Sequence, residues 1–143
     1  MTSFDTIIDN ALVIVNDYKL AKLYNQSVTE FQTYCDGFLI NAIANFTQCN
    51  QDLSYDEVNR EFSVDLTPVE ISILAMLWVI AWWKKETYNA SQIALKLKVS
   101  SSFTYNSESQ NFKEKQNIID KLGEEVNRKI TAYLLLSLDS YQY

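Results

Sequence analysis

The sequence predicts an all-α protein, a helical bundle of about four helices with one short β element. Two glycines and one proline in 143 residues leave few turn positions, whereas β-sandwiches and barrels need turns at short intervals. Apolar residues between Ser27 and Gln48 recur at helical spacing, the pattern of an amphipathic helix. Thr67 and Glu70 form a capping-box pattern around Pro68, which marks a helix start.

Two predicted helices lie in the first third of the chain. Ser3 can cap the first, and its apolar stripe blurs at 16–18, where a loop or a helix restart is expected. Ser27 opens the second, which extends to about Gln48. Gly37 lies inside this helix, where glycine costs about 1 kcal/mol relative to alanine. Either close packing against a neighbouring helix or simple tolerance would explain it.

A polar, acidic stretch over 50–66 separates these helices from the next. Its acidic residues lack the ligand spacing of an EF-hand, so we expect a solvated loop or a short irregular element. The third helix then runs from the capping box to about Thr87. It is apolar nearly all round, which predicts a central position in the bundle.

The last third is predicted to hold a short strand and a long helix. Apolar and other residues alternate over 93–99, a strand pattern that places the β element near residues 92–105. Ser107 and Gln110 form another capping-box pattern, and the helix that they open would end near Ser137. We expect one helical domain over 1–133 and a C-terminal docking tail over 134–143.

Composition excludes several classes of function. The chain has no histidine, so histidine-based catalysis and histidine-ligated metal sites are absent. No catalytic, cofactor-binding or metal-binding residue is assigned, and Cys35 and Cys49 are expected to be reduced thiols. The apolar run 71–83 is shorter than the about 20 residues of a spanning helix, so no membrane contact is expected.

Charge argues against sequence-specific DNA binding. The net charge is −6 with only two arginines, and arginine is the preferred residue for reading phosphates and bases. Four lysines could meet DNA phosphates or stabilise a helix C-terminus. They are Lys84, Lys85, Lys96 and Lys98.

Two groups of residues are candidate contact surfaces. Trp82 and Trp83 are candidates for a subunit interface, with core packing as the alternative. The C-terminal run of leucines and tyrosines is the candidate contact with a partner protein, because Leu134–Leu136 face three directions of a helix; a helix end packed into its own core is the alternative. Its candidate residues are Leu134, Leu135, Leu136, Leu138, Tyr141 and Tyr143.

Five segments in this order resemble the small helical head–tail connector proteins of tailed bacteriophages, also called adaptor or head-completion proteins. They are Val15–Tyr18, Tyr34–Ile43, Asp52–Asp56, Leu66–Pro68 and Ser107–Asn111. The likeness covers most of the chain but includes no catalytic fingerprint.

The resemblance implies a virion protein of the neck, assembled in the host cytoplasm. Its partners would be the portal protein, a stopper or tail-completion protein, and further copies of itself in a ring of about twelve. The ring would extend the channel through which DNA passes without sequence-specific binding. The alternative is a small acidic regulatory protein that binds a host or phage protein as a monomer or dimer.

Overall fold

Five helices dominate the computed structural model, which describes residues 1–15, 17–98 and 102–141, with side chains for 1–15, 17–88 and 113–136. The helices are α1 Phe4–Ile14, α2 Tyr18–Gln26, α3 Val28–Asn45, α4 Pro68–Lys98 and α5 Ser102–Tyr141. The predicted all-α class is confirmed. The described residues hold one helix more than expected, because the chain restarts a separate helix at Tyr18.

Polar side chains cap the helix starts that the sequence indicates. The hydroxyls of Ser3 and Ser27 each accept a backbone N–H from the first turn of α1 and α3. At α4, the Thr67 N–H donates to Glu70 Oε1 at 2.8 Å, and the Glu70 N–H donates to Thr67 Oγ1 at 3.3 Å. The predicted capping box is therefore confirmed.

The core is formed mainly by α1, α3, α4 and α5. Trp78 of α4 is fully buried, and its indole Nε1 donates to the Cys35 carbonyl of α3 at 2.9 Å. Its ring packs against Phe38 with centroids 5.2 Å apart. The buried residues of α1 and α3 are Phe4, Ile7, Ile8, Ala11, Cys35, Phe38, Leu39 and Ala42.

Gly37 does not mediate close helix packing. A Cβ built at this position would meet no atom within 4 Å beyond its own local backbone. Of the two explanations that the sequence left open, tolerance is therefore the one that the geometry favours.

The short β element lies earlier in the chain than predicted. Strands β1 Tyr55–Asp56 and β2 Glu61–Phe62 pair antiparallel within the acidic stretch. The Arg60 guanidinium ties their turn to the helices by donating to both Asp36 carboxylate oxygens at 2.8 Å. It also lies 2.9 Å from Asp5 Oδ1. These partners are distant in sequence, so no local pattern indicated the hairpin.

The prediction of a strand near 92–105 is wrong for the residues that the structure describes. Residues 92–98 are the last turns of α4 and 102–105 begin α5, while 99–101 lie outside the description. Alternation over seven residues also places apolar groups at i and i+4, which a helix accommodates. Ser107 is likewise not a cap, because α5 begins at Ser102.

Candidate assembly surfaces

The C-terminal leucines of α5 form an exposed apolar surface. Leu134, Leu135 and Leu136 are 38%, 56% and 61% exposed, and we call these three residues the leucine surface. The side chains of Leu138 and Tyr141, and the whole of Tyr143, lie outside the described residues. The helix continues without a break from the expected domain into the expected tail as far as Tyr141.

This surface lies where α5 extends past its neighbour. Lys129 Nζ of α5 donates to Ser72 Oγ of α4 at 2.8 Å, and Tyr133 meets Glu70 one turn further on, so the two helices run antiparallel. Because α4 begins at Pro68, almost no α4 remains beyond that point. The eight residues after Tyr133 extend α5 by about 12 Å. The leucine surface therefore has little of α4 beside it.

A buried polar cluster fixes the helix just before the leucine surface. Glu70 is 1% exposed. Its Oε2 accepts the Tyr133 hydroxyl at 2.7 Å and the Cys49 thiol at 3.3 Å, and its Oε1 accepts Gln51 Nε2 at 2.6 Å. The Tyr133 oxygen in turn accepts the Asn50 N–H at 2.8 Å. The cluster thus joins α4, α5 and the segment after α3.

The protonation states follow from this bonding. Burial alone would raise the pKa of Glu70, but donors led by the Thr67 N–H and the Tyr133 hydroxyl outweigh it and hold that pKa below its usual range. Burial, together with the adjacent Glu70 carboxylate, raises the pKa of Tyr133. The pair is therefore an ionised carboxylate and a neutral phenol at neutral pH. A charge-assisted bond of this kind is stronger than a neutral one.

The two cysteines are free thiols. Burial raises the pKa of Cys35 to about 12 and also raises the pKa of the half-buried Cys49. Since the thiolate is the reactive form, neither sulfur is activated at neutral pH.

The tryptophans of α4 face different surroundings. Trp82 is 7% exposed and Trp83 is half-buried, with ring centroids 5.0 Å apart. Trp82 therefore offers little surface to another subunit, and Trp83 offers more. The Trp82 Nε1 has no hydrogen-bond partner among the described residues.

Two of the four candidate lysines have described side chains. Lys85 Nζ lies 4.5 Å from the centre of the Tyr34 ring, a cation–π contact. Lys84 is exposed, whereas the side chains of Lys96 and Lys98 lie outside the description.

Sequence reasoning missed a groove between α1, α2 and the start of α3. Its volume is about 460 Å³. Its charged lining residues within the described part of the chain are both acidic, Asp9 and Asp17. The remaining lining residues are Leu12, Val15, Leu20, Ala21, Tyr24, Asn25 and Phe31. The groove lies where α1, α2 and α3 meet, and the helical stripe in the sequence blurs between α1 and α2, so periodicity gave no signal for it.

Comparison with protein-family models, curated proteins and solved structures finds no match to this chain. Within the described residues, no helix combines the length and hydropathy needed to span a membrane. The same residues contain no group of three or more potential metal-ligating side chains.

Proposed function

We propose that this chain is a virion structural protein, a head-to-tail connector that forms a ring beneath the phage portal and joins the capsid to the tail. The observation that carries the proposal is the leucine surface on the part of α5 that extends past α4. Exposed apolar side chains at a helix end are typical of protein–protein contact. The function proposed is accordingly one of assembly, without catalysis.

The Tyr133–Glu70 bond supports this function by fixing the base of the exposed segment. A contact surface on a rigid helix loses less conformational entropy on docking than a mobile tail does. The bond lies one residue before Leu134, so the leucine surface continues from a fixed point. The buried polar cluster and the leucine surface together form a docking element that is held in a fixed position.

The charge of the chain is compatible with a DNA channel. A net charge of −6 repels phosphate at long range, which favours sliding over binding. Lys85 is also engaged by Tyr34, so its ammonium is partly satisfied within the chain. We propose that DNA passes through the ring without sequence-specific contacts.

Truncation after Tyr133 tests the proposed function. We expect the shortened chain to keep its helical circular dichroism and most of its thermal stability, because the buried residues described in α5 precede the cut. We also expect purified particles to lack the shortened chain, so that heads and tails accumulate separately. Particle composition by mass spectrometry and electron microscopy are the measurements.

Val58→Ser is the matched control for that truncation. Val58 is 90% exposed in the hairpin turn, on a different surface, so its substitution should leave incorporation unchanged. Normally joined heads and tails containing the truncated chain would contradict the role of the tail.

A further inference from the structure

The leucine surface and the α1–α2 groove lie at different levels of the bundle. Tyr133 contacts Glu70 near the start of α4, whereas Lys19 Nζ, at the start of α2, lies 3.7 Å from Glu86 Oε2. Glu70 and Glu86 are sixteen residues apart on one continuous helix, about 24 Å along its axis. The two surfaces therefore lie near opposite ends of the Glu70–Glu86 segment of α4.

One chain cannot place its own leucines in its own groove. Because α5 runs antiparallel to α4, its residues after Tyr133 continue past the start of α4, away from Glu86 and the groove. Among the side chains that the structure describes, none of this chain's own thus covers the groove or the leucine surface. A second copy of the chain can cover both.

The two surfaces are both apolar, and charges of opposite sign accompany them. The groove has an apolar floor that includes Leu12, Leu20 and Phe31, which suits a leucine-bearing helix end. Its rim carries Asp9 and Asp17. The charged residues within the two turns before Leu135 are both basic, Arg128 and Lys129.

Arg128 is the residue best placed to meet the acidic rim. It is exposed and precedes Leu135 by seven residues, so the two side chains share one face of α5. The ammonium of Lys129, by contrast, already donates a hydrogen bond to Ser72. A helix that inserts Leu135 into the groove would therefore carry Arg128 toward a carboxylate at its edge.

We propose that the leucine surface of one copy binds the α1–α2 groove of the next copy, with Arg128 paired to Asp9. The contact joins two different surfaces, so it is heterologous and propagates head to tail, closing into a ring when the rotation allows. The inference rests on the proposed function for the closed ring and deepens it by naming the interface. It assigns the leucines to a neighbouring copy.

Directed cross-linking of full-length chains tests this interface. One variant carries Ala21→Cys at the groove, the other carries Leu135→Cys, and tags of different size distinguish mixed from like pairs. After mixing and mild oxidation, we expect at least tenfold more mixed disulfide than from Leu135→Cys mixed with Val58→Cys. Since Val58 is 90% exposed and lies on the hairpin, this control accounts for random collisions and for the native thiols.

Charge exchange tests the proposed ion pair. Arg128→Glu should weaken self-association by about fivefold, the effect of an exposed pair. Asp9→Lys in the same chain should restore it by reversing the pair between neighbouring copies. Leu135→Glu should weaken it by about thirtyfold, as at an interface hot spot, with unchanged circular dichroism in every case.

Three results with the purified chain would overturn the inference. The first is a yield of mixed disulfide no higher than that with the Val58→Cys control. The second is a predominance of disulfides between two Leu135→Cys chains. The third is a native mass that stays monomeric from micromolar to near-millimolar protein. Cross-linking of Leu135→Cys to the portal protein in particles would also overturn it. In each case particle incorporation of the unmodified chain would still report independently on the connector function.

Discussion

Tyr133 links α5 both to the start of α4 and to the segment after α3. Its hydroxyl both donates to Glu70 and accepts from the Asn50 backbone. We expect Tyr133→Phe to destabilise the fold by about 1–3 kcal/mol, because a buried carboxylate and a backbone N–H each lose a partner. Urea unfolding measures the loss. Tyr24→Phe, at an exposed position, should stay within about 0.5 kcal/mol of the wild type.

The ionised Glu70 predicts a pH dependence of stability. Its folded pKa is lowered, so the unfolded chain binds the proton more readily and stability falls as the pH drops. The loss begins near the ordinary glutamate value of about 4.3 and continues downward through the folded pKa. Glu70→Gln should be less stable than the wild type at pH 7, and this difference should narrow in acid. Urea midpoints measured across the pH range check it, and a constant difference would contradict the role of the carboxylate.

Residue-level chemistry was only partly predictable from the sequence. The Thr67–Glu70 capping box is local, and its spacing alone identified it correctly. The bond from Glu70 to Tyr133 joins residues 63 positions apart, and no periodicity encodes such a partner. The ion pair between Asp36 and Arg60 could not be predicted for the same reason.

Element boundaries were predicted well where caps decide them. Ser3 and Ser27 each accept a hydrogen bond from the first turn of the helix that they cap. The starts of α1 and α3 could therefore be predicted from the sequence. The end of α4 and the start of α5 were harder to predict, because helix and strand patterns coincide over the alternating residues 93–99. The hairpin depends on Arg60 reaching two helices, which only the folded chain brings together.

Both glycines lie inside helices with free space around them. A Cβ at Gly37 or Gly123 would meet nothing within 4 Å beyond its own local backbone. We expect Gly37→Ala and Gly123→Ala each to stabilise the protein by about 1 kcal/mol, because alanine has the higher helix propensity. Thermal unfolding measures the gain. A loss of stability at either position would show that the substitution meets an obstacle when the chain is folded.

For the whole molecule, the concentration dependence of native mass separates the proposed connector from the alternative regulator. If copies associate head to tail, the mass should rise from micromolar to near-millimolar protein and stop at a closed ring of about twelve. Native mass spectrometry and light scattering measure it. A fixed dimer over the whole range would favour the regulatory protein.

The all-α class and the absence of a long apolar run could be inferred from composition and periodicity. The placement of the groove and the leucine surface at opposite levels of α4 could not be inferred in this way. That placement depends on how far α5 runs past α4 and on where α2 meets Glu86, and both are outcomes of packing. Exposure of Leu134–Leu136 is likewise a property of the folded bundle.

The backbone at Arg60 constrains which substitutions this position can tolerate. Its φ of 54° lies in the left-handed region, which glycine adopts freely and other residues adopt at a cost of about 1 kcal/mol. The side chain, however, is the anchor that holds the hairpin to Asp36. Glycine would relax the backbone but remove the anchor, and lysine would keep the charge but lose the two-pronged bond. In a saturation library, selection for stability should therefore enrich arginine at this position over both.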